Sequence, residues 1–140
     1  MEPLLTTQLH EIVWLMDRHA DRWLKDTYGI SFAQFHVLIA LQGAAPISQK
    51  GLAECLFYSD AAVSRMVKIL PEYIAVTSLI GRTRILTLTP KGKTIIKSCA
   101  LPLEKMFCKT IENAGINLKN YRVETNKIRQ ILFKMQGNKK

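Results

Sequence analysis

The sequence predicts a mainly α fold with a small β-hairpin wing: a winged helix-turn-helix flanked by N- and C-terminal dimerisation helices. Three observations carry that expectation. Residues 31–70 hold three short helical patterns, a basic β-rich segment follows and turns back on itself around Gly81, and Leu88-Thr89-Pro90-Lys91-Gly92 then opens another helix. Within the first of these, Leu52-Ala53-Glu54 through Val63-Ser64-Arg65-Met66-Val67 reads as two helices joined by a tight turn. That layout presents its second helix to a DNA major groove.

Taken in order, Leu5, Leu9, Ile12, Val13, Met16, Ala20, Trp23 and Leu24 fall on one stripe at helical spacing. They predict a long amphipathic helix ending near Tyr28-Gly29, with Gly29 as its C-terminal stop. Trp14 and Leu15 lie off the stripe, and a second apolar face points to a contact beyond the helix's own core, such as another protomer. Ser31-Phe32-Ala33-Gln34 is a capping-box pattern opening a helix that buries Phe32, Phe35, Leu38, Ile39 and Leu41 and ends at Gly43.

After the Ala44-Ala45-Pro46 loop, Ile47 and Ser48 read as another helix opening, with Leu52, Ala53 and Leu56 inward. Phe57-Tyr58 forms the turn, and Ser59 caps a fourth helix with Asp60 in its first turn. That helix buries Val63, Met66, Val67 and Leu70, and Pro71 stops it. Strands are expected at Tyr73–Leu79 and Arg84–Thr89, with a turn at Ile80-Gly81-Arg82-Thr83 between them.

Thr89-Pro90 starts a fifth helix using Ile95, Ile96, Cys99, Leu103, Met106, Phe107 and Ile111. Pro102 predicts a kink or break near Ser98 to Leu101. Beyond Ala114-Gly115, Leu118, Tyr121, Thr125, Ile128, Leu132 and Met135 align close to a heptad seam, and Gly137–Lys140 reads as a loose basic tail. The expected organisation is a single domain over residues 1–140. Its DNA-binding unit covers 28–97, and its helical dimerisation region covers 1–27 and 98–136.

The formal net charge is +9, and its placement is informative. Residues 48–97 carry eight Lys and Arg against Glu54, Asp60 and Glu72, and residues 117–140 carry seven against Glu124 alone, whereas residues 1–26 are acidic on balance. A basic excess on the reading unit and the last helix suits a polyanion, since each neutralised phosphate releases counterions. No run approaches the roughly 20 apolar residues of a membrane span. The N-terminus lacks a signal-peptide pattern, so a cytoplasmic protein is expected.

Cys55, Cys99 and Cys108 fit a reducing compartment rather than a disulfide framework. Cys99 lies on the apolar stripe of its helix, as an inert buried thiol would, and neither Cys55 nor Cys108 has an activating cluster in sequence. His10, His19 and His36 have no partner at metal-ligand spacing, so neither a metal nor any other cofactor is expected. With no Gly-rich phosphate loop, nucleophile elbow or paired carboxylates, the sequence does not read as an enzyme.

The residues Phe35-x-Val37-Leu38-x-x-Leu41, Leu52-Ala53-Glu54, Val63-Ser64-Arg65-x-Val67 and Leu88-Thr89-x-x-Gly92 resemble the multiple-antibiotic-resistance regulator (MarR) family of bacterial and archaeal transcription regulators. The resemblance covers roughly Tyr28 to Ile96. It implies a homodimer with interlocked terminal helices and one recognition helix per protomer in the major groove. Repression, commoner than activation for so small a regulator, is the expected action at the nucleoid, with activation as the alternative. Two departures mark an atypical, short-winged member. The wing tip Gly81-Arg82-Thr83-Arg84 lacks the family's acid, and Pro71-Glu72-Tyr73 stands where a Gly usually follows the recognition helix.

The candidate DNA-binding residues are Ser59, Asp60, Ala61, Ala62, Ser64, Arg65 and Lys68 on the reading helix, and Arg82 and Arg84 on the wing. Small residues let the backbone approach base edges, while Arg65 and Lys68 reach bases or phosphates and the wing arginines enter a minor groove or hold phosphates. For Arg65 the bland alternative is a surface ion pair with Glu72 or Asp60. Lys50, Lys91 and Lys93 are further phosphate candidates. Trp14, Trp23, Tyr28 and Phe35 are either core and dimer packing or the lining of a pocket for a small aromatic effector. Two other functions fit the same pattern: a winged-helix protein-interaction module, and a sequence-indifferent architectural DNA binder.

Overall fold

The structure, a computed structural model, describes residues 1–137. The elements run α1 (Leu5–Tyr28), α2 (Phe32–Ala44), β1 (Ile47–Ser48), α3 (Gln49–Leu56), α4 (Asp60–Ile69), β2 (Ile74–Ile80), β3 (Thr83–Leu88), α5 (Pro90–Asn113) and α6 (Leu118–Gly137). They group into two compact units, Met1–Leu101 and Pro102–Lys140. Of the basic tail expected at the C-terminus, Gly137 closes α6, and residues 138–140 lie outside the described residues.

Local chemistry sets most of the boundaries. Gly29 adopts the left-handed region at φ 71°, and its N–H donates to the Lys25 carbonyl, ending α1. The capping box at α2 is complete, with Gln34 N–H donating to Ser31 Oγ and Ser31 N–H to Gln34 Oε1. Asp21 adds a third partner, accepting from Phe32 N–H at 3.0 Å while it pairs with Lys25. The Lys25 ammonium and that N–H hold the Asp21 carboxyl below its ordinary range. Ser48, Ser59 and Thr89 each accept an N–H three residues on, from Gly51, Ala62 and Gly92. Phe57, at φ 55°, makes the left-handed turn between α3 and α4.

The core of the first unit joins Ala20 and Leu24 of α1 to Phe35, Val37, Leu38 and Leu41 of α2, Leu52 and Ala53 of α3, and Val63 and Val67 of α4. Ile30, Leu70, Ile74, Leu86, Leu88, Ile96 and Cys99 complete it. Phe32, Ile39, Leu56 and Met66, expected inside, are only half-buried. The stripe on α1 divides: in its C-terminal half Ala20 and Leu24 are buried and Met16 and Trp23 half-buried, whereas Leu5, Leu9, Ile12 and Val13 are exposed along with Trp14 and Leu15. In the second unit α6 buries no residue, and Ile128, Ile131, Leu132 and Met135 are exposed.

Two expectations are corrected. Ile47-Ser48, read as a helix opening, is a two-residue strand, and only Ser48 keeps the capping role. It pairs antiparallel with β3 (Ile47 opposite Leu86, Ser48 opposite Ile85), so the expected hairpin is part of a three-stranded sheet of order β1-β3-β2. The hairpin itself turns on Gly81-Arg82, with Gly81 at φ 63°, and Thr77 bulges from β2 between the pairs Val76–Leu86 and Ser78–Ile85.

Of the kink or break expected at Pro102, the break does not occur: α5 runs unbroken from Pro90 to Asn113. Proline lacks the N–H that the Ser98 carbonyl would receive. The Tyr28 hydroxyl donates to that carbonyl instead, at 3.1 Å. Tyr28→Phe should therefore lower stability by about 0.5–1 kcal/mol. In a Pro102→Ala background, where the helix supplies its own donor, the same change should cost almost nothing. Urea unfolding of the four proteins in that cycle measures the difference.

Candidate functional site

The α4 helix sets a dry face against a wet one. Val63, Val67 and Leu70 are buried, while Asp60, Ala61, Arg65 and Lys68 are exposed and Ala62 and Ser64 are half-buried. Ser59 sits at the N-cap with its hydroxyl accepting from Ala62 N–H at 3.1 Å, so its first task is to open the helix. Asp60 lies in the first turn, where a carboxylate favours the positive end of the helix dipole. Arg65 forms no ion pair among the described residues. Glu72, its imagined partner, pairs instead with Lys91 at 3.0 Å.

Arg82 occupies the wing turn and Arg84 stands in β3 opposite Leu79, both exposed. The structure brings these two arginines together with Asp60. A cleft of about 260 Å³ is lined by Gln49 and Lys50 of α3, Asp60 of α4, and Arg82, Thr83 and Arg84 of the wing. Ala61, Ala62, Ser64, Arg65 and Lys68 lie outside this cleft. Gln49 and Thr83 went unnoticed in the sequence, because nothing there links residues more than thirty positions apart. Gln49 Oε1 is buried with no hydrogen-bond partner among the described residues.

The remaining lysines separate. Lys91 is held by Glu72, whose carboxylate pushes its ammonium pKa up, and it also lies 5.9 Å from the Tyr73 ring. Lys93 lines a different concavity, of about 520 Å³, with Lys97, Leu41, Leu88 and Ile96 among its walls. None of the four aromatic effector candidates lines that space. Trp23 and Tyr28 meet edge to face at 5.5 Å, Phe35 is in the core, and Trp14 is exposed under the Arg18 guanidinium.

Burial pushes the Cys99 thiol up, as an inert core cysteine requires, and Cys55 is exposed. Cys108 acquires a neighbour that its sequence surroundings did not reveal: Arg122 Nη2 lies 3.3 Å from its sulfur, and Glu104, to which Arg122 is also paired, lies at 3.6 Å. No group of three or more metal-binding side chains occurs among the described residues. No helix among them is long and apolar enough to cross a membrane.

Residues 28–70 match the model of the MarR family. No curated protein matches the chain by sequence. Among solved structures, the fold is similar to that of S. aureus MepR bound to DNA, with a TM-score of 0.80 at 17% identity, covering 96% of this chain and 99% of that one. It is similar to a MarR/EmrR family regulator from Acinetobacter sp. ADP1, at 0.72 and 24% identity over 92% of this chain and 94% of that one. It also resembles Streptococcus pneumoniae FabT in complex with DNA, at 0.73 and 18% identity over 96% and 97%. The winged helix anticipated from the sequence is thus the fold observed, and it is shared with MarR-family regulators along nearly the whole chain.

Proposed function

We propose, from the premise that residues 28–70 match the MarR family model, that this chain is a sequence-specific DNA-binding transcription regulator acting as a homodimeric repressor. The observation that carries the reading is the exposed face of α4, with Arg65 and Lys68 beside small residues, flanked by the Arg82–Arg84 wing. A helix with a buried back, small side chains at its opening and unpaired cations further along is suited to a major groove. Two proteins of similar fold, MepR and FabT, have been seen in complex with DNA. The reading implies a non-catalytic protein that works in the cytoplasm at the nucleoid.

The apolar residues exposed on α1 and on α6 support self-association, because apolar side chains repeated along two helices gain most from a second copy. Two recognition helices related by a two-fold axis would read half-sites about one helical turn, ~34 Å, apart. Sheared genomic DNA from the source cell, retained by the protein near physiological salt and sequenced, tests the reading. Intergenic fragments sharing an inverted repeat are expected. Uniform retention would instead mean an architectural binder, and no retention would mean a protein-interaction module.

On the recovered duplex, Arg65→Ala should weaken binding by about 1–3 kcal/mol, the worth of a bidentate base contact. Anisotropy titrations on that duplex and on an unrelated one give the comparison. Equal affinities of wild type and variant on the recovered duplex would remove Arg65 from the reading set.

A further inference from the structure

The outer end of the wing carries two large apolar side chains that nothing among the described residues covers. Leu79 and Ile80 are 66% and 69% exposed, although they stand immediately before the Gly81-Arg82 turn, where polar residues are the rule. They pair in register with Arg84 and Thr83, so the strand is regular there and the two side chains leave it on opposite faces. A flat protein surface would cover one of them and leave the other in water. A slot with two apolar walls covers both.

The charge around the tip limits what supplies those walls. Arg82 in the turn and Arg84 opposite Leu79 are exposed, and neither is ion-paired among the described residues. No acidic residue occurs in the chain between Glu72 and Glu104. The slot therefore belongs to a strongly anionic partner. An unstacked base step in a DNA minor groove meets both conditions, with the flat faces of two base pairs as walls and phosphates on either side. An anionic membrane also joins apolar to negative, but two side chains bury less than a single fatty chain, which itself binds only marginally.

We infer that Leu79 and Ile80 form an apolar wedge that enters a base step from the minor groove and kinks the duplex. The inference rests on the DNA-binding reading above and adds deformation of the DNA to it. Unstacking is easiest at pyrimidine–purine steps, so a TA or CA step beneath the wing is favoured. Arginines reading the groove by its width alone would favour the stiff, narrow A-tract instead. The duplex bends away from the wedge, toward the major groove, by an angle in the roughly 20–90° range of such insertions.

The test uses the full-length protein and the duplex recovered by genomic selection, with a TA step or an A-tract placed at each edge of the protected region. End-to-end energy transfer reads the bend, 2-aminopurine fluorescence reads unstacking, and anisotropy reads affinity. The wild type should bend the TA duplex, brighten the probe at one step per half-site and prefer TA to the A-tract about tenfold. Replacing Leu79→Thr and Ile80→Thr together, which keeps charge and strand propensity, should abolish all three effects with the salt slope unchanged. Val76→Thr, exposed on the same strand away from the tip, should behave as the wild type.

A straight duplex or an unaltered probe under saturating wild type overturns the wedge. Equal bending by the double variant, with its circular dichroism and urea midpoint retained, does the same. So does a preference for the A-tract, or binding to phosphatidylserine vesicles that the double variant loses while its DNA bending persists. A wild type that binds none of the duplexes refutes the regulator reading itself, whereas binding without deformation refutes only the wedge.

Discussion

Leu86→Ala should lower the unfolding free energy by about 3–5 kcal/mol, the largest loss expected from any single truncation in the wing region. Leu86 is completely buried at the centre of β3, opposite Ile47 on one side and Val76 on the other. Its strand lies against α2 and α3, so the side chain is where the sheet and the helices share a core. Removing three carbons there takes away burial and leaves a void that the paired strands on both flanks hold open. Urea titration should show a lower midpoint with an unchanged slope, meaning the same surface is exposed on unfolding. A loss below about 1.5 kcal/mol would mean that the sheet collapses into the space and that this site is less tightly braced than its burial indicates.

Gly92→Ala should cost about 2–3 kcal/mol for the opposite reason, too much volume. Gly92 is buried in the first turn of α5, and a methyl group there would overlap the Tyr73 carbonyl oxygen and approach Leu88 Cδ2 to 3.2 Å. The carbonyl has little freedom to retreat, because it already accepts from Thr89 N–H at 2.9 Å. Gly92 N–H in turn donates to Thr89 Oγ1, and that hydroxyl donates to the Glu72 carbonyl at 2.6 Å. The start of α5 is thus packed backbone to backbone against the root of β2. Gly43→Ala provides the contrast: nothing lies within 4 Å of its new methyl, so it should be neutral or stabilising by up to about 1 kcal/mol. Thermal or urea unfolding of the two variants side by side separates a packing clash from a general dislike of alanine. Equal stabilities would show that the α5–β2 junction yields.

Much of the fold was legible because its signals are local. Ser31 with Gln34, Gly29, Ser59, and Thr89 before Pro90 each act on backbone groups within four residues, and each does so in the structure. The parts that escaped depend on distant partners. Ile47-Ser48 is too short for any periodicity, and its strand exists only because Leu86 and Ile85 come alongside. The Ser98 carbonyl, left without a helical donor by Pro102, is met by a tyrosine seventy residues earlier in the chain. Of the candidate site, the wet face of α4 could be read from spacing alone. Asp60 and the wing arginines could not be seen as neighbours, since only the folded sheet sets the hairpin beside the helix opening. The amphipathic stripe of α1 was legible as a stripe, but spacing does not say which half finds a partner within its own chain.

Mechanically, the third strand makes the wing a cantilever. β1 clamps β3 at Ile85 and Leu86, and β2 alone accompanies it beyond the Thr77 bulge. The last two pairs, Leu79–Arg84 and Ile80–Thr83, form an overhang whose side chains are all exposed. Deflection grows toward the free end of such a beam, so Arg82 at the turn has the greatest reach while Leu86 stays still. A short overhang trades span for stiffness. It sweeps a narrower arc than a long wing, loses less conformational entropy when a ligand immobilises it, and adapts less readily to a groove of unsuitable width.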